Sequence, residues 1–85
     1  MRVEVLQVVR VTVSGLDGDY FADEKYCHVG RGRSRRELPV QWARREGDDV
    51  LVEVACQAGK LPAIGDAFRF GLFPVTGQIA NVVIP

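Results

Sequence analysis

The stretch from Arg2 to Val13, RVEVLQVVRVTV, decides the fold class of this chain. Apolar residues recur there at every second position, and successive side chains of a β-strand point to opposite faces. The residues of the apolar face are Val3, Val5, Val9, Val11 and Val13, together with Gln7. The opposite face is mixed, since charged and apolar residues share it. The pattern predicts a β-strand about twice the usual length, which can bend and pair with different neighbours at its two ends.

Five further segments show strand-like patterns. They cover residues 20–29, 37–45, 50–58, 67–73 and 78–84. The turn Glu46-Gly47-Asp48-Asp49 predicts that the third and fourth strands form a hairpin. No window has the spacing of a solid amphipathic helix. We therefore predict one all-β domain over residues 1–85, a small barrel or sandwich of five to six mainly antiparallel strands, similar in size to OB and SH3 barrels.

The last predicted strand is unusual because both of its faces are apolar. Simple alternation places Ile79 and Val83 on one face and Ala80, Val82 and Ile84 on the other. Such a strand is either buried on both sides or meets a second subunit. The predicted subunit interface therefore consists of Ile79, Val82, Val83 and Ile84.

In the third strand, the same alternation directs Leu38, Val40 and Trp42 inward.

Composition bounds the class of protein but names no partner. The chain has 85 residues, with eleven basic and eleven acidic side chains and a formal net charge of zero. No apolar run approaches the ~20 residues of a membrane helix, and the strand-like start does not resemble a signal peptide. We expect a protein without a membrane span, cytoplasmic or virion-associated. In such a setting Cys27 and Cys56 are expected to be reduced core thiols.

The residues 30–36, GRGRSRR, form the strongest functional signal in the chain. Glycine and serine let the backbone approach a partner closely, and arginine binds phosphate as a bidentate fork. The candidate partner- or phosphate-binding residues are Arg31, Arg33, Arg35, Arg36, Arg44 and Arg45. Candidate stacking platforms for bases are Tyr20, Tyr26 and Trp42. A protein contact and a plain solvated loop are the competing interpretations, because a zero net charge is not the usual basic footprint of nucleic-acid binding.

No arrangement of catalytic or metal-binding residues stands out. His28 is the only histidine, and its neighbour Cys27 should point to the opposite face of the same strand. Zinc ligands in paired spacings are absent from the sequence. The acidic group of Asp17, Asp19, Asp23 and Glu24 lacks the spacing of a calcium loop. We predict no catalytic residues, no cofactor and no metal.

These observations favour a non-enzymatic structural or interaction protein. The hypothesis is that the protein self-associates as a homo-oligomer or docks into a larger assembly. The small β subunits that build or decorate phage particles are an example of such proteins. The alternative is a single-stranded nucleic-acid-binding barrel that uses the arginine-rich loop 30–36.

Overall fold

A computed structural model describes residues 5–18, 24–71 and 73–85. The first residues of the long predicted strand, the predicted strand segment 20–23 and Leu72 lie outside the described residues. The strands are β1 (Leu6–Ser14), β2 (Tyr26–Val29), β3 (Arg36–Glu46), β4 (Asp49–Gln57), β5 (Ala67–Phe70) and β6 (Gly77–Val83). A short 3-10 helix over Gly32–Ser34 lies between β2 and β3.

The six strands close into a barrel in the order β1-β4-β3-β2-β5-β6. Every pairing is antiparallel. The all-β prediction is therefore confirmed, and the open choice between barrel and sandwich resolves to a barrel. The predicted β3–β4 hairpin is confirmed as well, with Glu46 paired to Asp49 at its turn.

Strand β1 pairs with two neighbours. Its whole length runs along β4, and its second half also runs along β6. Val9, Val11 and Val13 are fully buried, as the alternation predicts, whereas Val5 is exposed beyond the end of the barrel wall. The strand thus joins the β2–β3–β4 meander to β6 and closes the barrel.

The barrel interior is filled by β-branched and aromatic side chains. The fully or almost fully buried residues of the later strands are Cys27, Val29, Val50, Val52, Val54, Cys56, Phe68, Phe70 and Ile79. The rings of Phe68 and Phe70 meet edge to face, with their centroids 4.9 Å apart. Cys27 and Cys56 are buried and unbonded, so the prediction of core thiols is confirmed.

A β-bulge at Gln41 makes one inward prediction wrong. Val40 is paired with Val54 and Trp42 with Glu53, so Gln41 is an extra residue without a partner on β4. The extra residue reverses the alternation. Trp42 therefore lies on the outer face of the barrel instead of in the core.

A second irregularity changes the faces of β6. Thr12 pairs with Asn81 and Val13 with Ile79, so Ala80 is the extra residue. As a result Ile79 is buried, Val82 is half-buried, and Val83 is exposed. The predicted grouping of Ile79 with Val83 is wrong, and only one face of the strand is buried.

The described residues contain no helix with the length and hydrophobicity that a membrane span requires.

Candidate functional surfaces

The loop between β2 and β3 has a defined conformation. Gly30 and Gly32 have positive φ angles of 95° and 57°, a region that glycine adopts readily. The Gly30 amide donates to the carbonyl oxygen of Ala67 at 2.9 Å, which ties the loop to the start of β5. Within the loop, the Ser34 amide and hydroxyl both donate to the carbonyl oxygen of Arg31, at 3.1 and 2.8 Å. The backbone around the arginines is therefore held in place.

This loop and β5 border a solvent-open pocket of about 240 Å³. The pocket is lined by His28, Gly30, Arg31, Gly32, Arg35, Ala67, Phe68, Arg69 and Thr76. His28 and Arg69 are direct cross-strand neighbours in the β2–β5 ladder. No carboxylate is among the lining residues. The pocket thus gathers cations in a chain whose net charge is zero.

Only two of the six predicted arginines line this basic pocket, namely Arg31 and Arg35. Arg33 lies exposed on the 3-10 helix. Arg36 is half-buried and donates to the carbonyl oxygen of Lys60. Arg36 is therefore hydrogen-bonded to the connection between β4 and β5.

Arg44 and Arg45 lie at the opposite end of β3. Arg44 pairs with Glu46 at 2.9 Å. Arg45 donates to the carbonyl oxygens of Leu16 and Gly18, at 2.8 and 2.6 Å. Neither Arg44 nor Arg45 lines the basic pocket.

Arg69 was missed by the sequence analysis. It is an isolated arginine in β5, and no local sequence pattern links it to residues 30–36. Only the pairing of β5 with β2 brings it next to His28. A long-range pairing of this kind leaves no trace in sequence spacing.

The predicted stacking residues differ in their availability. Tyr20 lies outside the described residues. Tyr26 is 52% exposed and shares the outer face of β2 with His28. The ring of Trp42 already contacts cations, since the guanidinium groups of Arg10 and Arg44 lie 5.4 and 5.3 Å from its centroid. Tyr26 is thus an exposed aromatic on the strand face that carries His28, a residue of the basic pocket.

The predicted subunit interface is divided between core and surface. Ile79 is only 1% exposed and belongs to the core, so it cannot contact a second subunit. Val82 packs partly against the core. Val83 and Ile84 are 49% and 55% exposed.

Two residues of β1 extend this exposed apolar surface. Leu6 and Val8 are 64% and 38% exposed and precede Arg10 on the outer face of β1. Arg10 is the cross-strand partner of Val83, which places Val8 diagonally beside Val83. We call Leu6, Val8 and Val83 the β1–β6 apolar patch.

A second depression begins next to this patch. It measures about 310 Å³ and is bordered by Leu6, Leu38, Pro39 and Cys56, with Arg36 and Glu37 among its polar neighbours. The Cys56 thiol donates to the carbonyl oxygen of Gln7, with 3.5 Å between sulfur and oxygen. Burial raises the pKa of this thiol, an effect that the charge of Arg36 partly offsets. Cys56 is therefore a poor nucleophile at neutral pH.

No protein-family model, no curated protein and no solved structure matches this chain.

Proposed function

We propose that the protein is a non-enzymatic structural or interaction module that self-associates through the β1–β6 apolar patch. The observation that carries this proposal is the convergence of Leu6, Val8 and Val83 on adjacent strands of the outer wall. Exposed apolar side chains that cluster in this way are typical of interaction surfaces, whereas scattered ones need no explanation.

The closed barrel directs association to a sheet face. Each of the six described strands is hydrogen-bonded to two neighbours over at least part of its length, so none of them has one side free throughout. This closure favours a contact through side chains on the outer surface. On that surface, the β1–β6 apolar patch is a group of exposed apolar side chains from two neighbouring strands.

A second copy of the same chain is the occupant that the charges favour. The patch itself is uncharged, and the adjacent Arg10 is paired with Glu53 at 3.1 Å, so a partner need not supply a countercharge. The zero net charge gives no long-range repulsion between copies. A twofold contact brings the same patch together from both subunits, which suits a surface of this kind. A subunit of a larger assembly, such as a virion, is the finer form of this proposal.

The test is the mass of the native protein across a range of concentrations. Wild-type protein should form a defined multiple of 9.4 kDa, measured by native mass spectrometry and sedimentation. Replacing Leu6 and Val83 together by Lys should shift it to the monomer, because each charge would have to be desolvated in the contact. The control is Ile64→Lys, since Ile64 is equally exposed but lies in the β4–β5 connection outside the patch. A wild-type monomer at high concentration, or equal dissociation of the control, would contradict the proposal.

Single-stranded nucleic-acid binding is the second candidate. It is supported by the exposed arginines of the loop and by Tyr26, which lies on the same strand face as His28. The expected result is binding of a labelled single-stranded oligonucleotide that is lost when Arg31, Arg33, Arg35 and Arg36 are all replaced by Ser. Unchanged binding in that variant would exclude the loop as the contact site.

A further inference from the structure

We propose that the basic pocket between the 30–36 loop and β5 binds a single phosphate group of a small phosphorylated ligand. This inference goes beyond self-association and does not depend on it. The nucleic-acid candidate requires contacts to several phosphates along an oligonucleotide. This proposal instead requires one anion site, built from Arg31, Arg35 and Arg69.

The charges of the pocket are the first argument. Arg31, Arg35 and Arg69 come from two sequence-distant segments and line one depression. Among the residues that the structure describes, none of the three forms an ion pair or a side-chain hydrogen bond. Their donors are therefore available, and guanidinium forks match the oxygens of a phosphate.

The neutral lining residues suit the same ligand. Gly30 and Gly32 carry no side chain, and a Cβ on Gly32 would meet no atom within 4 Å, so a ligand can approach the backbone there. His28 supplies an imidazole and Thr76 a hydroxyl, both of which can donate hydrogen bonds to an anion. The pocket therefore combines charge with neutral donors and space.

The loop geometry holds this arrangement before any ligand arrives. A Cβ on Gly30 would lie 2.8 Å from the carbonyl oxygen of Ser34, so the loop closes tightly on this glycine. The amide of Gly30 is bonded to Ala67, a residue that itself lines the pocket. A preorganised site loses little ordering entropy on binding.

The other arginines show why one phosphate is favoured over a polyanionic strand. Arg36 is bonded to Lys60, and Arg44 and Arg45 lie at the far end of β3 with partners of their own. Arg36, Arg44 and Arg45 therefore do not extend the pocket into a line of unpaired cations on the described surface. Tight binding of a nucleic-acid backbone needs several phosphate contacts, which also produce a steep salt dependence.

The test is titration of the full chain with inorganic phosphate and with pyrophosphate at constant ionic strength. Calorimetry should show saturable binding at one site per chain, and amide chemical shifts should change around Gly30, Gly32 and Arg69. Arg69→Gln and, separately, Arg35→Gln should weaken binding by about tenfold, because each removes a charged hydrogen-bond donor. The matched control is Arg33→Gln, which makes the same charge change in the same loop outside the pocket and should leave the affinity unchanged.

Single-stranded oligonucleotides with and without a 5′-phosphate separate the sources of the phosphate. The proposal expects weak binding that requires the terminal phosphate. Tight oligonucleotide binding without it, with a salt dependence of several ions, would overturn the single-phosphate site in favour of nucleic acid. Absence of saturable phosphate and pyrophosphate binding, or an equal loss in the Arg33→Gln control, would overturn it as well. The mass measurement for self-association is independent of all these outcomes.

Discussion

The guanidinium group of Arg45 donates a hydrogen bond to the backbone carbonyl oxygen of Leu16, 2.8 Å away. A second bond from the same side chain reaches the carbonyl oxygen of Gly18 at 2.6 Å. Leu16 is buried against the core directly after β1, whereas Arg45 lies near the end of β3. One side chain thus fastens the segment that leaves β1 to β3, the strand on the other side of β4.

Replacing Arg45 by Gln should therefore destabilise the barrel. Hydrogen bonds from a charged donor contribute more than neutral ones, so we expect the free energy of unfolding to fall by about 1.5–3 kcal/mol. Urea denaturation followed by circular dichroism measures this change. Arg33→Gln provides the control, and its exposed position predicts a change within about 0.5 kcal/mol. Equal stabilities of the two variants would show that the Arg45 contacts are not needed at this barrel end.

The sequence pattern predicts strands well where alternation is unbroken. Strand β4 is the clearest example, because Val50, Val52, Val54 and Cys56 are all buried as expected. β3 and β6 each contain an extra residue, Gln41 and Ala80, that reverses the faces after it. The position of a β-bulge depends on how a strand pairs with its neighbour. A glycine inside a strand pattern can indicate a bulge in the sequence, but neither Gln41 nor Ala80 is a glycine.

The candidate sites show the same limit. The arginine-rich loop is visible as a local cluster, but the pocket depends on Arg69, which is 34 residues away from Arg35 in the printed sequence. Leu6 and Val8 look like ordinary members of a mixed strand face in the sequence, and only the β1–β6 register places Val8 beside Val83. Sites formed by strand pairing become visible once the strand order is known.

The buried Cys27 thiol predicts a loss of stability at alkaline pH. Burial raises the pKa of Cys27 from 9.0 to about 12, an effect that a backbone hydrogen bond at Leu38 partly offsets. Above pH 9.0 the unfolded chain loses this proton while the folded chain keeps it, so the unfolded state binds fewer protons and stability falls as pH rises. The contribution is at most about 1.4 kcal/mol per pH unit between the two pKa values.

Comparison with Cys27→Ala isolates this contribution. The variant should be less stable at neutral pH because it leaves a small cavity, but its stability should decline less steeply with rising pH. Urea denaturation of both proteins at about pH 8 and pH 10.5 gives the two slopes. All other titrating groups are shared, so parallel slopes would contradict a raised pKa at Cys27.

The start of β6 offers a prediction about packing. Gly77 is buried, pairs with Phe68 of β5 and lies against the end of β1. A Cβ at this position would lie 2.5 Å from the carbonyl oxygen of Ser14 and 2.8 Å from Cγ1 of Val13. The closest of these atoms belongs to backbone inside the sheet, which cannot move aside as a flexible side chain can.

Gly77→Ala should therefore push β6 away from β1 and destabilise the barrel by about 1–3 kcal/mol, the usual range for overpacking. Gly77→Val should be worse still, since it adds volume at the same place. Asn81→Ala is the control on the same strand, because Asn81 is exposed on the outer face and should change stability by less than about 0.5 kcal/mol. Thermal and urea denaturation of the three variants give the order directly. If Gly77→Ala were as stable as the control, the prediction would be wrong. The β1–β6 contact would then accommodate a Cβ at Gly77 without a loss in the free energy of unfolding.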